Sequence, residues 1–387
     1  RNVQETVVGN DLELFQEVSS TQTSPITVLY DVVVLPILDM LGKCNLQNLT
    51  NLILIPDSYT SLIPFVALHS EKDFNNTFGS TFSLQMMPSL LIMGILNEAH
   101  PTNAVMYDSR TACVVGNPHI PIFEHNQEEW SLGRLPHATE EAKWISRLLK
   151  VQPLLHEQVT KVAIVTKLRP AQVIHIATHG SAVSGFLAFA GPDSSNGKPS
   201  KSEDILLLPS EVEQMNLRAA LVVLSSCDSG RGMVRADGII GMGRAFLLAG
   251  AQSVLTTLWR IPDESAGMFM QFFYQYLEDG LGTTHALQKA SLSVRCFRKY
   301  SQYTHWGGFQ LIGKETYLNR TKTTEEALLT ASLGPRCVFP QGAILEKLEQ
   351  GLIQSTSQPS SVQVRYVMCE YVFIEVLCFV PTDPLGL

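Results

Sequence analysis

Little in this chain of 387 residues could grip a nucleic acid: 28 Lys and Arg stand against 36 Asp and Glu, for a formal net charge of −8, and no basic cluster stands out. Phosphate backbones are held by clustered cations, so no nucleic-acid partner is expected, and the acidic balance mainly favours solubility. The seven cysteines (Cys44, Cys113, Cys227, Cys296, Cys337, Cys369 and Cys378) are scattered, odd in number and never form a CxxC pair. That argues against a zinc site and a small disulfide scaffold, so no metal or other cofactor is expected and a reducing, cytoplasmic compartment fits. No unbroken apolar stretch reaches the roughly 18 residues of a membrane helix, since Glu370 and Glu375 cut the run VMCEYVFIEVLCFV. A soluble protein with no membrane partner is expected. No signal peptide heads the chain, which opens on Arg1 rather than Met and is read as a piece of something longer. The sequons at Asn48, Asn75 and Asn319 are short matches without a secretory leader beside them. There is no GxxxxGK[ST], no GxSxG elbow, and GIIGMG is read as opening a helix without directly following a strand, so a nucleotide-binding domain and a serine hydrolase are both disfavoured.

What is present reads as globular, with 45% hydrophobic and 17% charged residues in a length that holds one large core or two modest ones. Strand-like runs at 51–57, 112–118, 172–178, 220–226 and 253–259 alternate with helix-length amphipathic segments. That pattern predicts an α/β fold with a mostly parallel central sheet and helices on both faces. The helices include 139–149, with Thr139 as its cap, 241–250 and 264–280, the last two stopping at Gly250 and Gly280. The hydrophilic stretches 191–204 and 228–238 are expected to be mobile loops.

Two strand runs end on chemistry. VIHIATHG (173–180) delivers His179 to its tip, and LVVLSSCDSG (221–230) delivers Cys227. In an open parallel sheet, ligands bind beyond the carboxyl ends of the strands, so the two tips are expected to share one edge. A thiol of intrinsic pKa about 8.5 needs an imidazole or cationic field to become a nucleophile, and the same imidazole can protonate a leaving amine. Gly180 lets the backbone approach a substrate, and its N–H can join that of Cys227 as an oxyanion hole. Beside this stand plainer readings: Cys227 as a buried structural thiol, His179 as a turn residue. His175, inside its strand, is read as a satisfied core or supporting histidine.

VIHIATHG, ALVVLSSCDSGRG, GMGRAFLLAGAQSVLTTLWRIPDES and HWGGFQLIG, preceded by LILIPDSYTSLIPFVAL, CVVGNP and LPHATEEAKWI, together resemble the CHAT domain over residues 26–318. The CHAT domain is a caspase-like module often joined to tetratricopeptide repeats. The resemblance implies a caspase-like three-layer sandwich. It implies His179 as general base and acid, Cys227 as nucleophile, and the Gly180 and Cys227 amides as oxyanion donors. It also places a specificity pocket between the ends of the strands carrying Cys113, Cys227 and Trp259. Asn117, Ser225, Trp259 and Asp263 become candidate pocket residues, and Asp228 fits an acidic position of the family. An acidic Asp263 would favour a basic side chain before the cut, while a helix N-cap role explains it as well.

On these readings residues 1–25 are a linker from upstream repeats, 26–108 the N-terminal part of the domain, 109–318 the catalytic part, and 319–387 a tail with no assignable element. The function expected is a cysteine endopeptidase acting on protein or peptide substrates, controlled by the upstream region. The alternative is a catalytically silent scaffold that binds proteins through the same groove.

Overall fold

The computed structural model describes residues 24–46, 49–57, 59–108, 110–181, 185–191, 199–226, 232–235, 238–320, 361–369 and 372–380, with the backbone alone at 232–235, 238–240 and in the last two segments. Its centre is a ten-stranded sheet. In chain order the strands are β1 (Asn51–Pro56), β2 (Ser83–Met86), β3 (Ala112–Pro118), β4 (Leu154–His156), β5 (Val173–Ala177), β6 (Leu221–Leu224), β7 (Ser253–Thr257), β8 (Phe309–Gly313), β9 (Ser361–Cys369) and β10 (Val372–Val380). Across the sheet they lie in the order β9-β10-β1-β2-β8-β7-β6-β5-β3-β4.

The inner strands β1, β3, β5, β6 and β7 are largely apolar because both faces are covered, and alternate side chains enter two separate cores. Leu52, Leu54, Val114, Val173, Leu221, Val223 and Leu255 pack into one, and Ile53, Ile55, Cys113, Val115, Ile174, Ile176, Val222, Leu224 and Val254 into the other. Four helices close the first face: α1 (Pro25–Lys43) through Ile37 and Leu41, α3 (Pro136–Leu149) through Ala142, Ile145 and Leu149, α6 (Asp263–Glu278) through Phe269 and Phe273, and α7 (Thr283–Arg295) through Leu287 and Ala290. Three cover the second: α2 (Leu90–Ala99), α4 (Lys161–Leu168) and α5 (Met242–Leu248). The molecule is an α/β three-layer sandwich with a mainly parallel central sheet, as the alternation of runs predicts.

The sheet contains two blocks of opposite sense. Strands β7, β6, β5, β3 and β4 run parallel to one another. β8 turns back antiparallel to β7, and β2 and β1 follow its direction. The run at 51–57 is therefore a strand, but its carboxyl end lies on the opposite edge from those of β5 and β6. The tail adds to this edge as well: β10 pairs antiparallel with β1 from Leu52↔Cys378 to Pro56↔Ile374, and β9 pairs with β10. Residues 361–369 and 372–380, to which the sequence alone assigns no element, thus form two paired strands at the margin of the sheet.

Other expectations are corrected in detail. α3 begins three residues before Thr139, because Pro136 supplies a preset φ at the first helical position. Thr139 is buried inside the helix rather than capping it. Within the expected loop 228–238, strands Gly232–Arg235 and Gly238–Gly241 form an antiparallel hairpin, while 228–231 and 236–237 lie outside the described residues, as do 192–198 of the other loop. GIIGMG accordingly does follow a strand, though one outside the main sheet. Gly250 and Gly280 adopt the positive φ of 111° and 90° expected past a helix end. By length and composition alone α1, at 19 residues and a mean hydropathy of 1.7, suffices to cross a membrane. Asp31, Asp39 and Lys43 break its run in the sequence, and its Ile26, Val33, Val34, Ile37 and Leu41 are packed in the first core.

Candidate active site

Parallel pairing brings the carboxyl ends of β3, β5, β6 and β7 to one edge in the order β7-β6-β5-β3. Ile176 pairs with Leu224, and the Ser225 N–H donates to the Ile176 carbonyl at 2.9 Å, so β6 stays beside β5 up to its tip. Ser226 is buried, and its carbonyl accepts from Thr257 Oγ1 at 3.0 Å, tying the tip of β6 to β7. Cys227, the next residue in the chain, and Asp228 lie outside the described residues.

On the β5 side the chain leaves the sheet in a tight turn-back. Thr178 Oγ1 donates to the Ala188 carbonyl, the Ala188 N–H donates to the His179 carbonyl at 2.9 Å, and the Ser181 N–H donates to Phe186 at 3.1 Å. These bonds flank the Gly180↔Leu187 bridge, which makes it a non-hydrogen-bonded pair. The Gly180 N–H is therefore directed away from Leu187 and is not consumed by the pairing, as an oxyanion donor requires.

Among the described residues, the half-buried His179 ring is held by a bond from Nε2 to the Gly133 carbonyl at 2.7 Å. A carbonyl oxygen only accepts, so the ring proton is assigned to Nε2 and the lone pair to Nδ1. Burial, and after it the charge of Arg260, holds this imidazole below its usual pKa of 6.5, although the Gly133 carbonyl pulls the other way. At neutral pH the ring is a neutral base. Gly133 gives no sign of this in the sequence, because it contributes a backbone carbonyl that any residue possesses.

The remaining predicted site residues fall into two groups. Trp259, just beyond β7, stands at the shared edge. Its Nε1 donates to the Thr304 carbonyl at 3.0 Å, Tyr303 meets it edge-on at 6.2 Å between centroids, and its indole lies on Gly308. A Cβ at Gly308 would come within 2.6 Å of that indole, so the second glycine of HWGGFQLIG exists to seat the tryptophan. Asp263 is the first residue of α6, one past the cap residue Pro262, and is exposed. A carboxylate there faces the positive end of the helix dipole.

Asn117 is turned inward. It is only 4% exposed, its Nδ2 donates to Thr139 Oγ1 at 2.8 Å, and its Oδ1 accepts the Leu135 N–H at 2.8 Å. Both ends of the amide are thus bonded to the scaffold, and the residue is buried rather than offered to a pocket. His175 is fully buried between α3 and α6: Nδ1 lies 3.2 Å from Tyr274 Oη, and Nε2 lies 2.9 Å from Glu141 Oε1 but off the line of a good hydrogen bond. It is a core histidine, one of the two readings the sequence offers, with Nε2 lacking a well-aligned partner among the described residues. Among the described residues no group of three or more His, Cys, Asp and Glu could hold a metal ion.

The fold and this edge define an α/β domain that presents a neutral, carbonyl-anchored histidine beside the end of a second parallel strand. The chain belongs to the CHAT domain family, whose model matches residues 23–314. It is 31% identical over 350 residues to human tetratricopeptide repeat protein 28 and 31% identical over 354 residues to its mouse counterpart, covering 81% of this chain in each case. The chain spans 14% of the length of these relatives. Among solved structures, separase in the Saccharomyces cerevisiae separase–securin complex is similar over 67% of this chain and 15% of that chain, with a TM-score of 0.47 and 14% identity. The Porphyromonas gingivalis complex of RgpB pro- and mature domains is similar over 71% of this chain and 66% of that chain, with a TM-score of 0.45 and 13% identity. At these scores the likeness assigns no residue.

Proposed function

We propose that this CHAT domain is a cysteine endopeptidase using a His179–Cys227 pair. The observation that supports it is the arrangement of His179: Nε2 is occupied by the Gly133 carbonyl, Nδ1 keeps its lone pair, and the ring stands at the end of β5, whose neighbour β6 leads directly into Cys227. Nδ1 accepts the thiol proton as sulfur attacks the scissile carbonyl. The Gly180 and Cys227 N–H groups receive the tetrahedral oxyanion. As the C–N bond breaks, the imidazolium returns its proton to the departing amine, and water then hydrolyses the thioester by the same route. In this reading Trp259 walls the substrate groove and Asp263 selects a cationic side chain before the cut. Helical repeats upstream, as in the name of the relatives, are proposed as the controlling region, and a cytoplasmic location is proposed with them.

The test is cleavage of a peptide reporter library by the wild type, Cys227→Ala and His179→Ala. Loss of a positioned acid–base group costs about 100- to 10,000-fold. If His179→Ala cleaves within threefold of the wild type, the peptidase reading fails and the groove is one that binds without cutting.

A further inference from the structure

The hydrogen bond that sets the His179 tautomer comes from a weak place. Residues 131–134 form a connector without regular structure between the strand Glu128–Trp130 and α3, in which Leu132 is partly buried against the apolar cluster that Trp130 also touches and Arg134 pairs with Glu157 at 3.7 Å. A connector of this kind can sample many backbone states about Gly133, so the Gly133 carbonyl stays on His179 only if the chain is held on both sides of it. One end is anchored by the Trp130 ring, which packs against Phe123 and Phe186 with centroids 6.3 and 5.8 Å away. The other is held at Leu135, whose N–H is bound by Asn117 Oδ1.

Asn117 is built for that grip. The pairing of β3 with β4 shifts between Gly116 and Pro118, leaving Asn117 as the extra residue of a bulge with φ of 47°. Bulges re-aim a side chain next to functional sites, and Asn tolerates the left-handed region better than most residues. The bulge is stabilised by His156 Nδ1, which donates to the Asn117 carbonyl at 3.2 Å. Thr139 Oγ1, accepting from Nδ2, fixes the rotation of the amide so that Oδ1 faces the Leu135 N–H.

We propose that Asn117 is the positioning residue of this site: by clamping Leu135 it keeps the Gly133 carbonyl on Nε2 of His179, and so keeps the lone pair of His179 on Nδ1. Asn117 itself touches no reacting atom. Without the clamp the connector drifts, the carbonyl leaves Nε2, and the ring is free to place its proton on either nitrogen. The fraction carrying it on Nδ1 cannot accept a thiol proton there. The inference rests on His179 being the acid–base group of the proposed peptidase.

The test is the tautomer of His179 read by two-bond 1H–15N correlation on the 387-residue chain labelled with 15N-histidine at pH 8, with the signal assigned by His179→Gln. The wild type should show a single Nε2–H form. Asn117→Gly, which accepts the positive φ but removes the amide, should show a mixture with substantial Nδ1–H, and its peptide cleavage should fall about 10- to 100-fold, the scale of a misplaced catalytic group. A folded Asn117→Gly that keeps the single Nε2–H form overturns the proposal. Should that variant fail to fold, Thr139→Val carries the test, since it removes the acceptor that orients the amide: mixed tautomers support the clamp, and an unchanged Nε2–H form overturns it. The spectrum does not depend on cleavage. A tautomer shift in a chain that never cleaves would sustain the clamp and sink the peptidase reading, whereas an active chain with an unmoved tautomer would do the reverse.

Discussion

Substituting Gly116 by Ala is expected to damage the chemistry more than the fold. A Cβ at this position in β3 would lie 2.6 Å from the Ala138 carbonyl oxygen and 2.6 Å from Ala142 Cβ, both on α3. Neither is the end of a flexible side chain that can swing aside. Restoring ordinary contact at about 3.4 Å requires the start of α3 to retreat by roughly 0.8 Å. Overpacking of this kind costs about 1–3 kcal/mol, which for a domain of this size is a melting decrease of roughly 2–12 °C. Typical stabilities of about 5–15 kcal/mol absorb that loss at 25 °C. The hydrogen bond from Leu135 to Asn117, 2.8 Å long, has less tolerance: a displacement of that size takes it past the useful range of about 3.2 Å. The variant is therefore expected to stay folded at 25 °C while its Cys227 is labelled by a peptide-bearing electrophile about 10- to 100-fold more slowly. Melting by circular dichroism and the labelling rate, measured on the same preparation, decide the matter. A lowered melting temperature with an unchanged labelling rate would show that the connector does not follow α3. An unchanged melting temperature would refute the close contact itself.

The depressed pKa of His179 has a definite sign. Its neutral form is favoured by folding, so its contribution to stability is present above the usual pKa of 6.5 and is lost as pH falls below it, and the acid limb of Cys227 labelling should lie below pH 6.5. Arg260→Ala removes a charge that lowers this pKa, so the pH–rate limb should move upward; a limb that stays put or moves down contradicts the assignment. Cys113 is buried in the second core with its thiol pushed up to about 11, so iodoacetamide at pH 8 should modify the exposed Cys296 and spare Cys113, as peptide mapping would show; equal modification refutes the burial. Tyr274→Phe strands the buried Nδ1 of His175 and should cost about 1–3 kcal/mol in urea unfolding; an unchanged midpoint would mean that the contact at 3.2 Å contributes nothing.

How far the sequence speaks depends on which atoms carry the information. The runs at 112–118, 172–178, 220–226 and 253–259 lie on β3, β5, β6 and β7 because strands buried on both faces must be apolar throughout, and that is a side-chain property. The placement of His179 and Ser226 at one edge follows from the same runs once they are parallel. The direction of β1 was not legible: an apolar run has no sign, and only the connections and the neighbours β2 and β8 settle its sense. Asn117 was readable as a residue at a strand end, but the bulge that turns it inward depends on pairing with β4, a strand of three residues with no pattern of its own. Gly133 was not readable at all, since it acts through its backbone.

The two-block sheet also explains why the chemistry gathers on one side of the molecule. At the edge where β3, β5, β6 and β7 end, the opposite block presents the start of β8 rather than a strand end, because β8 runs antiparallel to β7 from Thr257↔Phe309 onward. His179 and Trp259 stand just beyond the ends of β5 and β7 at this edge. The start of β8 instead brings Gly307 and Gly308, whose lack of side chains lets Trp259 and Ala67 close in. One block thus supplies the strand tips that carry His179 and Trp259, and the other supplies the two glycines against which Trp259 and Ala67 pack. Substitutions at Gly308 should act through Trp259, whereas substitutions at Gly116 and Asn117 should act through His179, and among the described residues the direct contacts of the two sets do not overlap, so their effects on stability should add.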